Sequence, residues 1–264
     1  MLRKRAGYFE LVKTLGLTDF KLRFSTSILG YLWSILSPLG IFIVLYIVFG
    51  RFLKFGNEPF YSDKLLLGIF LWRYFSEAST AGIQSLLGKS HIIGKLYFPR
   101  SIAVLSTSLN YFLTFLISMG IVAVFFIVDG VGFNRYSYFF ILYVAELYML
   151  ILGISFLLSV VYLKFRDLVE IWTILITAGF YATPIIWTLD KIPAKYQKLV
   201  YINPLTFIVE YSKRVLVEGR IIDQAGSAKM FFIGNCIILL ESLSLLVVGF
   251  LVFRKISPRA AEYL

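Results

Sequence analysis

Six long apolar stretches, most of them as long as a bilayer-crossing helix, take up most of this 264-residue chain. A hydrocarbon core of about 30 Å needs about 20 apolar residues of helix to cross it. The stretches run over 31–52, 64–87, 102–128, 137–163, 169–189 and 230–253. They are unbroken, as at Ile41 to Phe49, whereas strands of a membrane β-barrel alternate apolar with polar residues. Backbone in lipid must satisfy its own hydrogen bonds, so such runs become helices. Hydrophobic residues form 59% of the chain and the mean hydropathy is +0.83. The expected fold class is an all-α integral membrane protein with six transmembrane helices.

The net charge of +11 suits nucleic acid at first sight. The basic residues, however, lie at the ends of the stretches rather than in one stripe, so no nucleic-acid partner is expected. They follow the positive-inside rule instead. One side holds Arg3, Lys4, Arg5, Lys13, Lys21, Arg23, Lys89, Lys95, Arg100, Lys164, Arg166, Arg254, Lys255 and Arg259. The short loops opposite hold only Arg51, Lys54, Lys64 and Arg135. Lys191, Lys195, Lys198, Lys213, Arg214, Arg220 and Lys229 lie in a longer loop, which counts for less. Both termini are therefore expected in the cytoplasm. No cleavable signal peptide is expected, because Glu10, Lys13, Asp19, Lys21 and Arg23 interrupt the start. Residues 6–24 carry Tyr8, Leu11, Val12, Leu15 and Leu22 at roughly helical spacing. That pattern fits an N-terminal interfacial amphipathic helix, with an ordinary cytoplasmic lead-in as the alternative.

Pro38 and Gly40 suggest a kink near Ser37 in the first stretch. Arg73 and Glu77 lie four residues apart, on one helix face of the second. Charges inside a span face a bundle interior or a wet path. The pair reads first as a structural ion pair and second as part of a polar pathway. Glu146, Glu170 and Glu241 are other candidate partners for Arg73. Gly88-Lys89-Ser90 looks like the end of a phosphate-binding loop, but the glycine required at position 83 is Ile83. The turn Lys164 to Asp167 is short, so the fourth and fifth spans are antiparallel neighbours. Residues 183–229 contain Thr183-Pro184, Pro193 and Asn203-Pro204 between short apolar runs. They read as short re-entrant or interfacial gate helices between spans five and six, against a simple external loop.

The chain lacks HExxH, CxxC, GxSxG and GxGxxG motifs, and has one histidine, His91, and one cysteine, Cys236. No nucleophile, base and metal-ligand set can be assembled, so no catalytic residue and no metal site is assigned. A path through the membrane is the better reading. Two six-span units would enclose such a path between them, driven by an energy source docked on the cytoplasmic loops.

The run Asp19 to Leu39, with Ser27, Leu29, Gly30, Leu32, Trp33 and Pro38, and then Phe49, resembles the permease subunit of ABC-2 type polysaccharide exporters. Phe165-Arg166-Asp167-Leu168 is similar to the family's turn after span four. Thr183-Pro184-Ile185 and Asn203-Pro204-Leu205-Thr206 are similar to its external segment. Thr18 stands where the family usually has arginine, Phe24 where it has tyrosine, and Thr183 where it has serine. The resemblance covers about residues 10 to 220.

This resemblance implies one transmembrane domain over 1–264: an N-terminal helix in 1–30, spans one to five in 31–182, an external gate region in 183–229, and span six with a cytoplasmic tail in 230–264. It implies a homodimer in the bacterial inner membrane, joined to two ABC ATPase subunits that carry the ATP and Mg. This chain itself would bind no cofactor and would not be an enzyme. The cargo would be an undecaprenyl-linked polysaccharide, most simply an O antigen, on a polyprenyl-pyrophosphate carrier. Lys89, Ser90, His91, Ile92 and Lys95, with Arg166 and Asp167, would couple to the ATPase. Lys21 and Arg23 would attract the pyrophosphate, and Trp33, Tyr46, Tyr181 and Trp187 would line the sugar path or its lipid-side entrance. Thr183, Pro184, Asn203 and Pro204 would build the gate. An exporter of another lipid or drug, a glycan-assembly enzyme and a passive channel remain the alternatives.

Overall fold

A computed structural model describes residues 2–25, 30–90, 99–189, 192–220 and 228–258. Among these residues the chain is helical and has no strand. The helices are α1 (Leu2–Ser25), α2 (Trp33–Leu45), α3 (Tyr61–Gly88), α4 (Ser101–Val128), α5 (Phe139–Tyr162), α6 (Leu168–Ala182), α7 (Ala194–Val200), α8 (Pro204–Lys213) and α9 (Ala228–Ile256). Two of them continue into π-helical stretches, α2 through Tyr46–Phe52 and α8 through Arg214–Glu218. Every apolar stretch except the fifth matches a helix to within a turn. Residues 33–52, 101–128, 139–162 and 231–256 are long and apolar enough to cross a membrane. α3 is as long as α4, at 28 residues, but carries Asp63, Lys64, Arg73 and Glu77.

The fifth apolar stretch continues to residue 189, but its helix stops at Ala182. Thr183 is extended, with φ −90° and ψ 141°. The cause is Pro184, which lacks an N–H and pushes the preceding residue out of the helical region. At 15 residues α6 is ~22 Å long. Pro38 has a milder effect, since α2 runs through it unbroken and the departure from α geometry comes later, at Tyr46.

α3 is the hub of the subunit and touches α2, α4, α5, α6 and α8. Leu65, Leu66, Leu67, Phe70 and Leu71 are buried around it. α5 packs against both α3 and α9. Its contact with α9 is a backbone crossing of Gly153 on Gly249. A Cβ on Gly249 would stand 2.3 Å from the Gly153 carbonyl oxygen, so no side chain fits there. Small residues of this kind let membrane helices approach closely.

α1 packs lengthwise on the first half of α4. The Tyr8 hydroxyl meets Ser101 Oγ at 3.0 Å, Gly16 presses on Ser106 and Leu109, and the Arg23 guanidinium lies 4.3 Å from the ring centre of Tyr111. The stripe that suggested an interfacial helix thus has protein under part of it: Val12 is buried, while Leu22 is exposed.

Candidate functional site

α6 has no buried residue, and much of α2 is also exposed. Between them, floored by α3, runs an open groove of about 500 Å³. Ser37, Ile41 and Leu45 form one wall, Ile176, Thr177, Phe180 and Tyr181 the other, and Ile69, Trp72, Arg73, Ser76 and Glu77 the floor. α6 is held to the floor by aromatic contacts. Trp172 Nε1 donates to Ser79 Oγ at 3.1 Å, and Trp72 meets Phe180 at 6.0 Å between ring centres. Gly179 allows this approach, because a Cβ there would come within 2.9 Å of Trp72.

The charged residues of the floor are tied together. Arg73 Nε donates to Glu77 Oε1 at 2.6 Å, and Arg73 Nη1 to Ser37 Oγ at 2.8 Å. Arg23 Nη2, arriving from α1, donates to Glu77 Oε2 at 3.0 Å. Two guanidiniums therefore share one carboxylate. Their side chains stay a quarter or more exposed. The i,i+4 pair was legible in the sequence, but Arg23 as its third member was not. Glu146, one of the other candidate partners for Arg73, is buried, and neither of its oxygens has a hydrogen-bond partner.

Beyond α6 the chain folds back into protein. Thr183, Pro184, Ile185 and Ile186 are buried, as is most of α8. Asn203 caps α8 by accepting from the Leu205 amide at 3.1 Å, and its Nδ2 donates to Thr183 Oγ1 at 3.0 Å. Pro204 occupies the first helical position, where a missing N–H costs nothing. The ammonium of Lys213 donates to the carbonyls of Pro184 and, at 3.3 Å, Ile185. Burial pushes the Lys213 ammonium down to about 8. Glu218 lies 2.6 Å from both Lys64 and Arg220. Burial opposes its charged form, but hydrogen bonds from Lys64 and Arg220 outweigh that and hold its carboxyl below the usual range. Tyr61 also donates to the Ile186 carbonyl at 2.9 Å. Asn203 is thus tied to Thr183, with Pro184 buried next to Thr183 and Pro204 half-buried next to Asn203.

The other expected site residues are spread out. Tyr181 lines the groove, and its carbonyl accepts from Trp187 Nε1 at 3.0 Å. Trp33 is exposed at the start of α2, and Tyr46 stacks on Phe42 at 5.8 Å. Lys21 is exposed. Lys89 is tied to Asp19 at 2.6 Å and to Ser106 at 2.5 Å. Ser90 is partly exposed, and Arg166 and Asp167 are exposed in the turn between α5 and α6. His91, Ile92 and Lys95 lie outside the described residues. Trp72 and Phe180 are groove aromatics that sequence reasoning missed; their spacing does not set them apart from belt aromatics.

The sequence profile of the family described as ABC-2 type transporter matches residues 10–215. An O-antigen export system permease protein RfbA of Klebsiella pneumoniae is 30% identical over 265 residues, covering 100% of this chain and 98% of the relative. A protein of the same name from Myxococcus xanthus is 23% identical over 225 residues, covering 84% and 86% of the two chains. The polysialic acid transport protein KpsM of Escherichia coli is 26% identical over 221 residues, covering 80% and 82%. Matched over most of its length, on a helical membrane fold, the chain belongs to the ABC-2 type transporter family.

Proposed function

We propose that this chain is the transmembrane subunit of an ATP-driven exporter that moves a lipid-linked polysaccharide across the bacterial inner membrane. The observation that carries the reading is the end-to-end match to an O-antigen export permease, on a chain with an open groove along α2, α3 and α6. α3 and α6 join the four long apolar helices to make six spans, with both termini cytoplasmic. A second copy closes the groove, so that two half-channels make one path. Residues 183–219 form the re-entrant gate on the external side. An ABC ATPase subunit, carrying ATP and Mg, docks under residues 88–100 and the turn Lys164 to Leu168. Nucleotide-driven closure there tilts α3, to which every wall of the groove is attached.

The test is co-expression with an ABC ATPase subunit and measurement of ATP hydrolysis in nanodiscs. A stable complex whose hydrolysis rises with a lipid-linked glycan supports the reading. A chain that binds no ATPase, or a complex that ignores the glycan, overturns it.

A further inference from the structure

The groove floor contains a charge arrangement that ion pairing alone does not require. Arg73 already has Glu77 one turn away, at 2.6 Å. Arg23 is brought from a different helix to the second oxygen of the same carboxylate. The Glu77 carboxylate thus sits between two guanidiniums, with a hydroxyl, Ser37 Oγ, on the far side of Arg73. Two arginines about one planar oxyanion is the geometry used to bind phosphates. A further void of about 20 Å³ lies beside it, lined by Ser34, Tyr74 and Tyr111 among others, so polar groups surround the cluster on a second side.

Its depth also matters. Ser37 lies four residues, ~6 Å, from the first residue of α2. Through Phe52 that helix measures ~30 Å, the thickness of the hydrocarbon core. Measured along α2 the cluster stands within a turn or so of the start of the span, whereas along α3 Glu77 lies 11 residues, ~16 Å, from Gly88. Above it the groove wall turns apolar, through Ile41, Leu45 and Ile176.

We propose that Glu77 is a built-in stand-in for the diphosphate of the lipid-linked substrate. When the lipid enters the groove, its diphosphate displaces the carboxylate and takes over the two guanidiniums, while the prenyl chain lies along the apolar wall. Without substrate, Glu77 keeps the arginines paired and joins α1 to α3. With substrate, Glu77 is released and that bond between α1 and α3 is lost, so α1 reports occupancy of the groove. This inference rests on the exporter reading and names the group that the groove recognises.

The test uses the complex with its ATPase partner in nanodiscs of neutral phosphatidylcholine, and undecaprenyl diphosphate without glycan as the probe. Glu77→Gln removes the competitor and should lower the half-saturating lipid concentration about tenfold. Arg73→Gln should raise it about tenfold, the scale of one charge-assisted hydrogen bond. Glu77→Asp keeps the charge with a shorter reach and should give a smaller gain, which serves if the glutamine variant does not fold. Opposite directions for the Glu77 and Arg73 variants support the proposal. Weakening by both, as for a purely structural pair, overturns it, and so does no change in either. Displacement of the lipid by an equal concentration of inorganic diphosphate overturns the assignment to a lipid. Should the wild-type complex respond to lipid-linked glycan while the variants do not diverge, the stand-in falls and the exporter reading stands. Divergence without any glycan response leaves the stand-in and removes the polysaccharide.

Discussion

Removal of Glu218 should be more damaging than removal of its partner Lys64. The pair is 2.6 Å apart, with side chains 11% and 18% exposed, and links the start of α3 to the end of the π-helical stretch that continues α8. Breaking a fully buried pair from one side costs about 3–5 kcal/mol, mainly because the surviving charge is stranded. In Lys64→Met the surviving Glu218 still has Arg220 at 2.6 Å. Arg220 is half exposed, so the remaining pair is hydrated and the loss should be ~1 kcal/mol. In Glu218→Gln the survivor is Lys64, next to the buried Lys213, whose ammonium already suffers from the Lys64 charge. Two cations then share a partly dry site, and the loss should approach ~3 kcal/mol. The double variant Lys64→Met/Glu218→Leu should fall between wild type and Glu218→Gln, because no charge is left stranded. Thermal unfolding midpoints in detergent, followed by tryptophan fluorescence, provide the ranking. A Lys64→Met variant as damaged as Glu218→Gln, or a double variant worse than both, would refute the argument from the stranded charge.

Gly249→Leu should force α9 away from α5 and cost about 1–3 kcal/mol, whereas Gly120→Ala, with open space around it, should leave the melting midpoint unchanged. Asn203→Ala should lose ~1 kcal/mol of cap and a further hydrogen bond to Thr183, read as a lower midpoint and faster proteolysis of the 183–219 region. Lys213 gives a pH dependence. Its folded pKa of about 8 lies below the unfolded value of about 10.4, so between them the unfolded chain binds more protons. Stability should therefore rise with pH from about 8 to 10, and the rise should shrink in Lys213→Met; equal slopes in the two proteins would sink the assignment.

The spans were legible because bilayer thickness imposes one length on apolar runs, and the chain obeys it from Trp33 to Phe52 and from Ser101 to Val128. α6 ends at Ala182 although the apolar character continues through Ile185, Ile186 and Trp187, because the backbone turns at Pro184. Composition carries no mark of that turn; the proline does. In the groove, Arg73 and Glu77 were legible from their spacing. Arg23 was not, since it lies 54 residues from Glu77 and only the packing of α1 on α4 brings it there. The same holds for Lys213, which reaches the Pro184 and Ile185 carbonyls across 29 and 28 residues. Local periodicity reports what faces a common side of one helix, and these contacts join different elements.

The π-helical stretch at Tyr46–Phe52 has a consequence for how the chain tolerates change in length. A π turn holds more residues than the α turn it replaces, so it stores slack in the helix. Elsewhere in α2, losing one residue would rotate everything beyond it by ~100° and turn the groove wall toward lipid. Within Tyr46–Phe52 the same loss would tighten the stretch into an ordinary α-helix and leave Ser37, Ile41 and Leu45 in register. The chain thus has a place, at the C-terminal end of α2, where deletion of one residue should leave the groove undisturbed.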